Sequence, residues 1–135
     1  MSKRQDIFFL DVSGSSLGTS GEIPVQIVSP SEEKPNAYAT VSVYQITLLR
    51  SAGTGVTVQP RLLSATGGSG TLAEAWRLAA PEAVGDLVQV TFPEPGLQLE
   101  TDANGKIYLY PDFDAGADNA CSARIWFAHG RAVGF

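Results

Sequence analysis

The chain has 135 residues, of which 44% are hydrophobic and 17% are charged, and its formal net charge is −5. This length is typical of one domain, since domains most often have about 100–150 residues. The negative charge disfavours a protein that must neutralise nucleic-acid phosphates, and the apolar content excludes disorder over the whole chain. One cysteine and one histidine exclude, by count, a disulfide framework, a Cys/His zinc site and a two-histidine metal motif.

The N-terminal region combines an apolar run with a stretch of small polar residues. Ile7–Val12 is the apolar run, and the Gly/Ser-rich stretch Ser13–Gly21 that follows is typical of a flexible linker. We therefore expect a flexible N-terminal arm over residues 1–21 and a folded domain over residues 22–135. A strand on such an arm is suited to adding onto the sheet edge of a neighbouring subunit.

The apolar run near the N-terminus is too short for export or membrane insertion. A secretory signal needs about 7–15 consecutive apolar residues, and a membrane-spanning helix needs about 20. The basic residues do not cluster into a patch for anionic lipid or nucleic acid. We expect a protein made in a cytoplasm, without a signal peptide or transmembrane segment, and with neither a membrane nor a nucleic acid as partner.

The longest strand candidate is Tyr38–Leu49, and its apolar positions change parity in the middle. Val41 and Val43 share one parity, whereas Ile46 and Leu48 share the other. A β-bulge near Val43 and Tyr44 would account for the change, and so would a strand buried on both faces.

Two other stretches bear on the fold. Leu97–Thr101 and Lys106–Tyr110 predict a β-hairpin, because Asp102–Gly105 between them suits a tight turn. Leu72–Ala80 fits either a short helix or a strand, since its composition favours helix while its apolar residues also fit strand alternation.

Turn signals about every ten residues indicate a β-sandwich, a jelly roll or a barrel. We predict an all-β, single-domain, β-sandwich or jelly-roll-like fold with the flexible arm and at most one short helix.

The acidic stretch Asp112–Asn119 has the composition of a calcium loop. Oxygen ligands from Asp112, Asp114 and Asp118 surround a glycine, and calcium takes 6–8 oxygens at about 2.3–2.6 Å. The stretch lacks the glutamate and the flanking helices of an EF-hand. The alternative is a solvated turn in which the carboxylates bond their own backbone. Calcium is the one cofactor that the sequence suggests.

Residue patterns for catalysis are weak. His129 has no Gly-x-Ser-x-Gly nucleophile in the sequence to serve, and Cys121 lies in or near the same predicted strand. We interpret Cys121 as a small buried hydrophobe and His129 as a surface residue at a strand end. The carboxylates have no spacing that marks a glycosidase pair. We therefore expect no enzyme and assign no catalytic residue.

Several apolar and aromatic residues are candidates for a subunit interface, because Tyr and Trp are enriched where proteins meet. Tyr108, Tyr110 and Trp126 would share a sheet face if the predicted hairpin pairs with the last strand, and a sugar-binding surface is the alternative interpretation. The interface candidates are Ile7, Phe8, Phe9, Tyr108, Tyr110, Trp126 and Phe135.

The chain resembles small β-sandwich virion proteins of tailed bacteriophages, of the capsid decoration (cement) type. The stretches that carry the resemblance are Val88–Phe92, Thr101–Lys106 and Pro111–Asp114. It implies a structural, non-enzymatic protein of the virion that binds the head lattice, works as a homo-oligomer and has the major capsid protein or other virion proteins as partners. Two alternatives stay open, which are a carbohydrate-binding module stabilised by calcium and a tail or neck component.

Overall fold

In a computed structural model, the described residues are 6–17, 22–35, 37–53, 60–65, 72–79, 81, 83–113 and 118–130. Within them the chain forms nine β-strands and no helix. The strands are β1 (Phe8–Leu17), β2 (Ile23–Gln26), β3 (Thr40–Ala52), β4 (Arg61–Ala65), β5 (Leu72–Arg77), β6 (Leu87–Thr91), β7 (Leu97–Glu100), β8 (Lys106–Tyr110) and β9 (Asn119–His129). The ambiguous stretch that begins at Leu72 is therefore a strand, β5, which pairs with β4.

The strands form two antiparallel sheets. The five-stranded sheet has the order β1-β9-β3-β6, with β7 also paired to β3, and the four-stranded sheet has the order β2-β8-β4-β5. Because β6 and β7 pair with successive parts of β3, they form one interrupted edge strand. The chain is then one long hairpin in which β4 pairs with β5, β3 with β6 and β7, β2 with β8, and β1 with β9. Rolling it up adds the β3–β9 and β4–β8 pairs, which gives a jelly roll and confirms the predicted fold class.

The core lies between the two sheets, where alternate side chains from each strand meet. On β9, every second residue from Cys121 to Phe127 is buried, and the residues between them are partly exposed. The four-stranded sheet contributes Val25, Leu62 and Ile107, which are fully buried. Burying one such aliphatic side chain stabilises the fold by about 1.5–3 kcal/mol, so this layer supplies much of the free energy of folding.

β3 contains the bulge that its sequence suggests. Val43 pairs with Phe127 and Gln45 pairs with Trp126, so Tyr44 is an extra residue on β3. This extra residue shifts the buried parity from that of Val43 to that of the residues beyond the bulge. The bulge interpretation of the alternation is confirmed.

The neighbouring edge strand is interrupted at the same level. The backbone N–H of Phe92 donates a 2.7 Å hydrogen bond to the carbonyl oxygen of Tyr44, which ends the pairing of β6 with β3. The chain then turns out of the sheet and returns as β7 at Leu97. The interruption between β6 and β7 therefore lies beside the bulge in β3, where the extra residue Tyr44 disturbs regular pairing.

The predicted hairpin between Leu97–Thr101 and Lys106–Tyr110 is wrong. β7 pairs with β3 in one sheet, whereas β8 pairs with β2 and β4 in the other. The tight turn is present, because the N–H of Gly105 donates to the carbonyl of Asp102 and Gly105 has a φ of 76°. Both strands have one apolar face, and these faces meet across the core rather than lying side by side in one sheet.

Part of the predicted N-terminal arm lies in the five-stranded sheet. β1 pairs with β9 in continuous register from Phe8 to Gly14, and Leu10 and Val12 pack against the core. Ser13–Leu17 therefore continue a strand where the sequence suggested a linker, because β9 pairs with Ser13, Gly14 and Leu17 on the two sides of an irregularity. Residues 1–5 and 18–21 lie outside the described residues, and the predicted boundary between residues 21 and 22 stays a prediction.

Candidate interaction surface

The outward side of the five-stranded sheet, which we call the outer face, carries alternate side chains of β1, β9, β3 and β6. Because these strands pair in register, the side chains form three rows across the sheet. The rows are Phe9-Trp126-Gln45-Thr91, Asp11-Arg124-Thr47-Gln89 and Ser13-Ser122-Leu49-Leu87. Asp11 and Arg124 are the charged members of these rows, and they stand opposite each other on neighbouring strands. These three rows therefore have no net charge, whereas Glu100 of β7 is an exposed carboxylate on the same side of the sheet.

Arg124 is held in place by a carboxylate and by two aromatic rings. Its Nε donates a 2.6 Å hydrogen bond to Oδ1 of Asp11, and its Nη2 donates a 2.7 Å hydrogen bond to Oδ2. The guanidinium carbon lies 4.4 Å from the ring centroid of Phe9 and 5.7 Å from that of Trp126. A planar guanidinium suits both contacts, which an ammonium group would not make in this form.

The hydrogen bonds between Arg124 and Asp11 change the pKa values of both groups. They lower the pKa of the Asp11 carboxyl and raise that of the Arg124 guanidinium, with attraction between the two charges acting in the same sense. Both side chains are therefore ionised at neutral pH. They present a fixed pair of opposite charges to the solvent, since the side chains are 59% and 43% exposed for Asp11 and Arg124 respectively.

One end of this sheet exposes large apolar side chains. Ile7, Phe8 and Phe9 are 55%, 48% and 54% exposed. The Phe8 ring lies 6.2 Å from the ring of Phe127 and 5.5 Å from that of His129, which supports it from the core side. Phe8 lies on the same side of the sheet as Phe127, whereas Phe9 lies on the outer face beside Trp126, so only Phe9 of these two rings belongs to that face.

A shallow depression lies on the outer face, and the Asp11–Arg124 pair forms part of its wall. Its volume is about 280 Å³, and hydroxyl groups and leucine side chains line it. The lining includes Ser13, Thr47, Ser122, Leu49 and Leu87. Leu87 is 57% exposed, so the leucine side of the outer face is open to a partner as well.

The predicted grouping of Tyr108, Tyr110 and Trp126 on one sheet face is wrong. β8 pairs with β2 and β4, so both tyrosines belong to the four-stranded sheet, whereas Trp126 belongs to the five-stranded sheet. The grouping depended on the hairpin pairing with the last strand, which does not occur. The interface roles of these residues stay predictions, and Phe135 lies outside the described residues.

Both tyrosines interact with neighbouring charged side chains. The hydroxyl of Tyr108 donates a 2.6 Å hydrogen bond to Oδ2 of Asp102, and this bond, with desolvation, raises the pKa of Tyr108 to about 12. The guanidinium carbon of Arg61 lies 5.7 Å from the ring centroid of Tyr110. Through these contacts both tyrosine rings pack against charged side chains on the side of the four-stranded sheet.

The described part of the predicted calcium loop is already engaged with a cation. Nη2 of Arg61 donates to Oδ2 of Asp112 at 3.4 Å, and Asp112 has a φ of 58°. Asp118 is exposed, and Asp114 lies outside the described residues. Among the described residues no group of three or more potential ligands could hold a metal ion. Calcium binding stays a prediction, which a rise of the melting temperature with millimolar calcium would support.

Cys121 and His129 lie where the sequence analysis placed them. Cys121 is completely buried, and burial raises the pKa of its thiol to about 11, against the opposing effect of Arg50. His129 is exposed at the end of β9. Eight residues of extended strand span about 26 Å, so these two side chains cannot act on one substrate atom.

The central pair of the outer face was missing from the sequence analysis. Asp11 and Arg124 are 113 positions apart, and neither belongs to a recognisable motif. Phe9 and Trp126 were candidates, but only the register between β1 and β9 shows that they are opposite each other. A prediction of that register is the one signal that would have found the group.

No protein-family model matches the chain, and no curated protein matches it in sequence. A chain from the Nora virus structure is 14% identical with a TM-score of 0.45, and the match covers 96% of this chain and 57% of that one. A chain from the capsid asymmetric unit of the cyanophage Pam1 is 10% identical with a TM-score of 0.44, covering 92% of this chain and 85% of that one. The chain thus spans less than two thirds of the Nora virus chain that it matches.

No described segment is a helix long and apolar enough to cross a membrane.

Proposed function

We propose that this protein is a structural component of a virion, and that it acts as a decoration protein that binds and stabilises the head lattice. The observation that carries the proposal is the outer face, a four-strand surface without net charge that exposes Phe9 at one corner and Leu87 at the other. Aromatic residues are enriched in the cores of protein interfaces, and this surface carries Phe9 and Trp126, with its two charges paired to each other.

The jelly roll supports the proposal by analogy. This strand order occurs in viral capsid domains and also in lectins and cupins, so the fold alone does not distinguish these functions. Its two packed sheets hold the outer face rigid. A rigid surface loses little conformational entropy when it binds, which suits a protein that reinforces an existing lattice.

The mechanism is burial of apolar surface between subunits. Each square ångström of apolar surface removed from water contributes about 25 cal/mol, so exposed side chains such as Phe9 and Leu87 add to the affinity when a neighbour covers them. The paired charges of Asp11 and Arg124 lie between these apolar corners, so neither charge would enter an interface unpaired.

The experiment is to purify particles of the virus that encodes the chain, separate heads from tails and quantify the chain by mass spectrometry. We expect the chain in the head fraction at a constant ratio to the major capsid protein. Recovery in the tail fraction would support the tail or neck alternative instead. Absence from both fractions would contradict a virion role.

A carbohydrate-binding module is the second candidate, and the depression on the outer face favours it. Hydroxyl groups of Ser13, Thr47 and Ser122 line the depression next to the Asp11–Arg124 pair. Such donors and acceptors suit a sugar. The candidate predicts that a glycan raises the melting temperature by mass action, and a glycan panel without any shift would exclude it.

A further inference from the structure

Two successive rows of the outer face place complementary side chains opposite each other. In one row Phe9 of β1 is opposite Trp126 of β9, and in the next row Asp11 is opposite Arg124. Each row therefore has an aromatic pair or a pair of opposite charges across the same two strands. We call these four side chains the β1–β9 patch.

A two-fold axis that runs parallel to the strands, midway between β1 and β9, makes this patch complementary to itself. Such an axis places β1 of one copy over β9 of another. Asp11 then faces the partner's Arg124, and Phe9 faces the partner's Trp126. The same contacts occur twice, as an isologous interface requires.

We propose that the β1–β9 patch is a self-association surface whose occupant is a second copy of this chain, related by that two-fold axis. The inference goes beyond the virion role, since it applies to the free protein in solution. It leaves the leucine side of the outer face, around Leu49 and Leu87, available for a different partner.

Charge complementarity selects a second copy over other occupants. An acidic surface would meet Asp11 with like charge, and a basic surface would meet Arg124 with like charge. The patch is complementary to a surface that places a positive charge opposite Asp11 and a negative charge opposite Arg124 at the same spacing. A second copy related by the two-fold axis has these charges at these positions. Because the patch is neutral, it can approach its copy although each chain carries a net charge of −5.

The size of the outer face determines how strongly we expect two copies to associate. A standard interface uses about 20–30 residues per partner, and the three rows with Ile7 provide fewer. We therefore expect a reversible dimer with a dissociation constant in the micromolar range, which sedimentation equilibrium can measure. Exposed charge pairs are screened by salt, so the association should weaken at high ionic strength.

The test uses two charge-reversal variants of the full chain, each measured alone and then mixed. Asp11→Arg leaves two positive charges on the patch, and Arg124→Asp leaves two negative charges. Each variant alone should be at least tenfold weaker in self-association than the wild type, because like charges face each other across the axis. An equimolar mixture should form a heterodimer, because two positive charges then face two negative charges.

Two controls separate association from folding. Circular dichroism and thermal melting of each variant show whether it is folded, since each also loses the ion pair within its own chain. Arg77→Asp makes the same charge change on β5 of the other sheet, where Arg77 is exposed, and should associate like the wild type.

A wild type that stays monomeric at all concentrations would overturn the inference. So would folded variants that associate like the wild type, or a mixture that stays monomeric while the wild type dimerises. These results are independent of the virion role. A monomeric protein recovered in heads leaves that role intact, whereas a dimeric protein absent from particles removes the role and leaves the dimer.

Discussion

Asp11 and Arg124 form a doubly hydrogen-bonded ion pair across β1 and β9, although 113 positions separate them in sequence. Both side chains are exposed, and exposed ion pairs contribute little to stability in most proteins. The guanidinium is nevertheless oriented further by the rings of Phe9 and Trp126. A pair that is fixed in place but open to solvent is better suited to recognition than to holding the fold together.

Gly105 is expected to tolerate no side chain. A Cβ at Gly105 would overlap the carbonyl oxygen of Val28, and its φ of 76° already disfavours an L-residue. Gly105→Ala should therefore lower the free energy of unfolding by about 2–5 kcal/mol, which urea denaturation would measure.

Gly85 is the matched control for this substitution. Its φ is 94°, but a Cβ there has open space within 4 Å, so Gly85→Ala should lose only about 1–2 kcal/mol from the backbone conformation. Equal losses at the two glycines would show that the contact with Val28 has no effect.

The Tyr108 hydroxyl should ionise later than an ordinary tyrosine. Its hydrogen bond to Asp102, with desolvation and the nearby negative charge, raises its pKa from 10.0 to about 12. Because the folded state holds the hydroxyl proton more tightly than the unfolded state, this proton contributes to stability. The contribution is complete below pH 10 and is lost as the pH rises through about 12. Ultraviolet titration of phenolate absorbance measures this ionisation, and Tyr108→Phe identifies the late component. Asp102→Asn should move the late component towards lower pH, and its persistence would contradict the assigned cause.

The thiol of Cys121 should not react in the native state. It is completely buried, and burial raises its pKa to about 11, so the thiolate is scarce at neutral pH. A thiol reagent that absorbs on reaction should modify the chain only after denaturant is added. Modification of the folded protein at the rate of the denatured one would show that this strand opens readily.

Leu87 on the leucine side of the outer face should contribute to particle binding. It is 57% exposed, so Leu87→Asp should change the free energy of unfolding by no more than about 0.5 kcal/mol. Binding of the variant to heads that lack the protein should fall at least tenfold, because a carboxylate enters the interface without a partner. Leu63→Asp makes the same change on the outer side of the four-stranded sheet and should bind normally. Equal binding by both variants would contradict a role for the leucine side.

The strand content of this fold was predictable from local patterns. Alternation marks β3, and the parity change after Val43 allows either a bulge or a strand buried on both faces. The pairing of β3 with β9 decides for the bulge. The turn at Gly105 was also predictable, since its glycine supplies the positive φ that the turn needs.

Sheet assignment was not predictable in the same way. The turn at Asp102–Gly105 reverses the chain, but nothing in its residues tells whether the two strands pair or separate into opposite sheets. Similarly, Ser13–Leu17 read as a linker because small polar residues have little tendency of their own to form a strand. Their place in β1 depends on β9, which lies more than 100 residues later in the chain. The β1–β9 patch was not predictable for the same reason, because each of its two pairs joins a residue of β1 to a residue of β9.

The measurement that tests the central claim most directly is hydroxyl-radical footprinting of the protein on purified heads and free in solution. The account predicts that oxidation of Leu49 and Leu87 on the leucine side of the outer face falls on the particle, while that of Tyr108 and Tyr110 on the opposite sheet does not change. Unchanged oxidation of the two leucines, with protection of the two tyrosines instead, would contradict it and place the assembly surface on the four-stranded sheet.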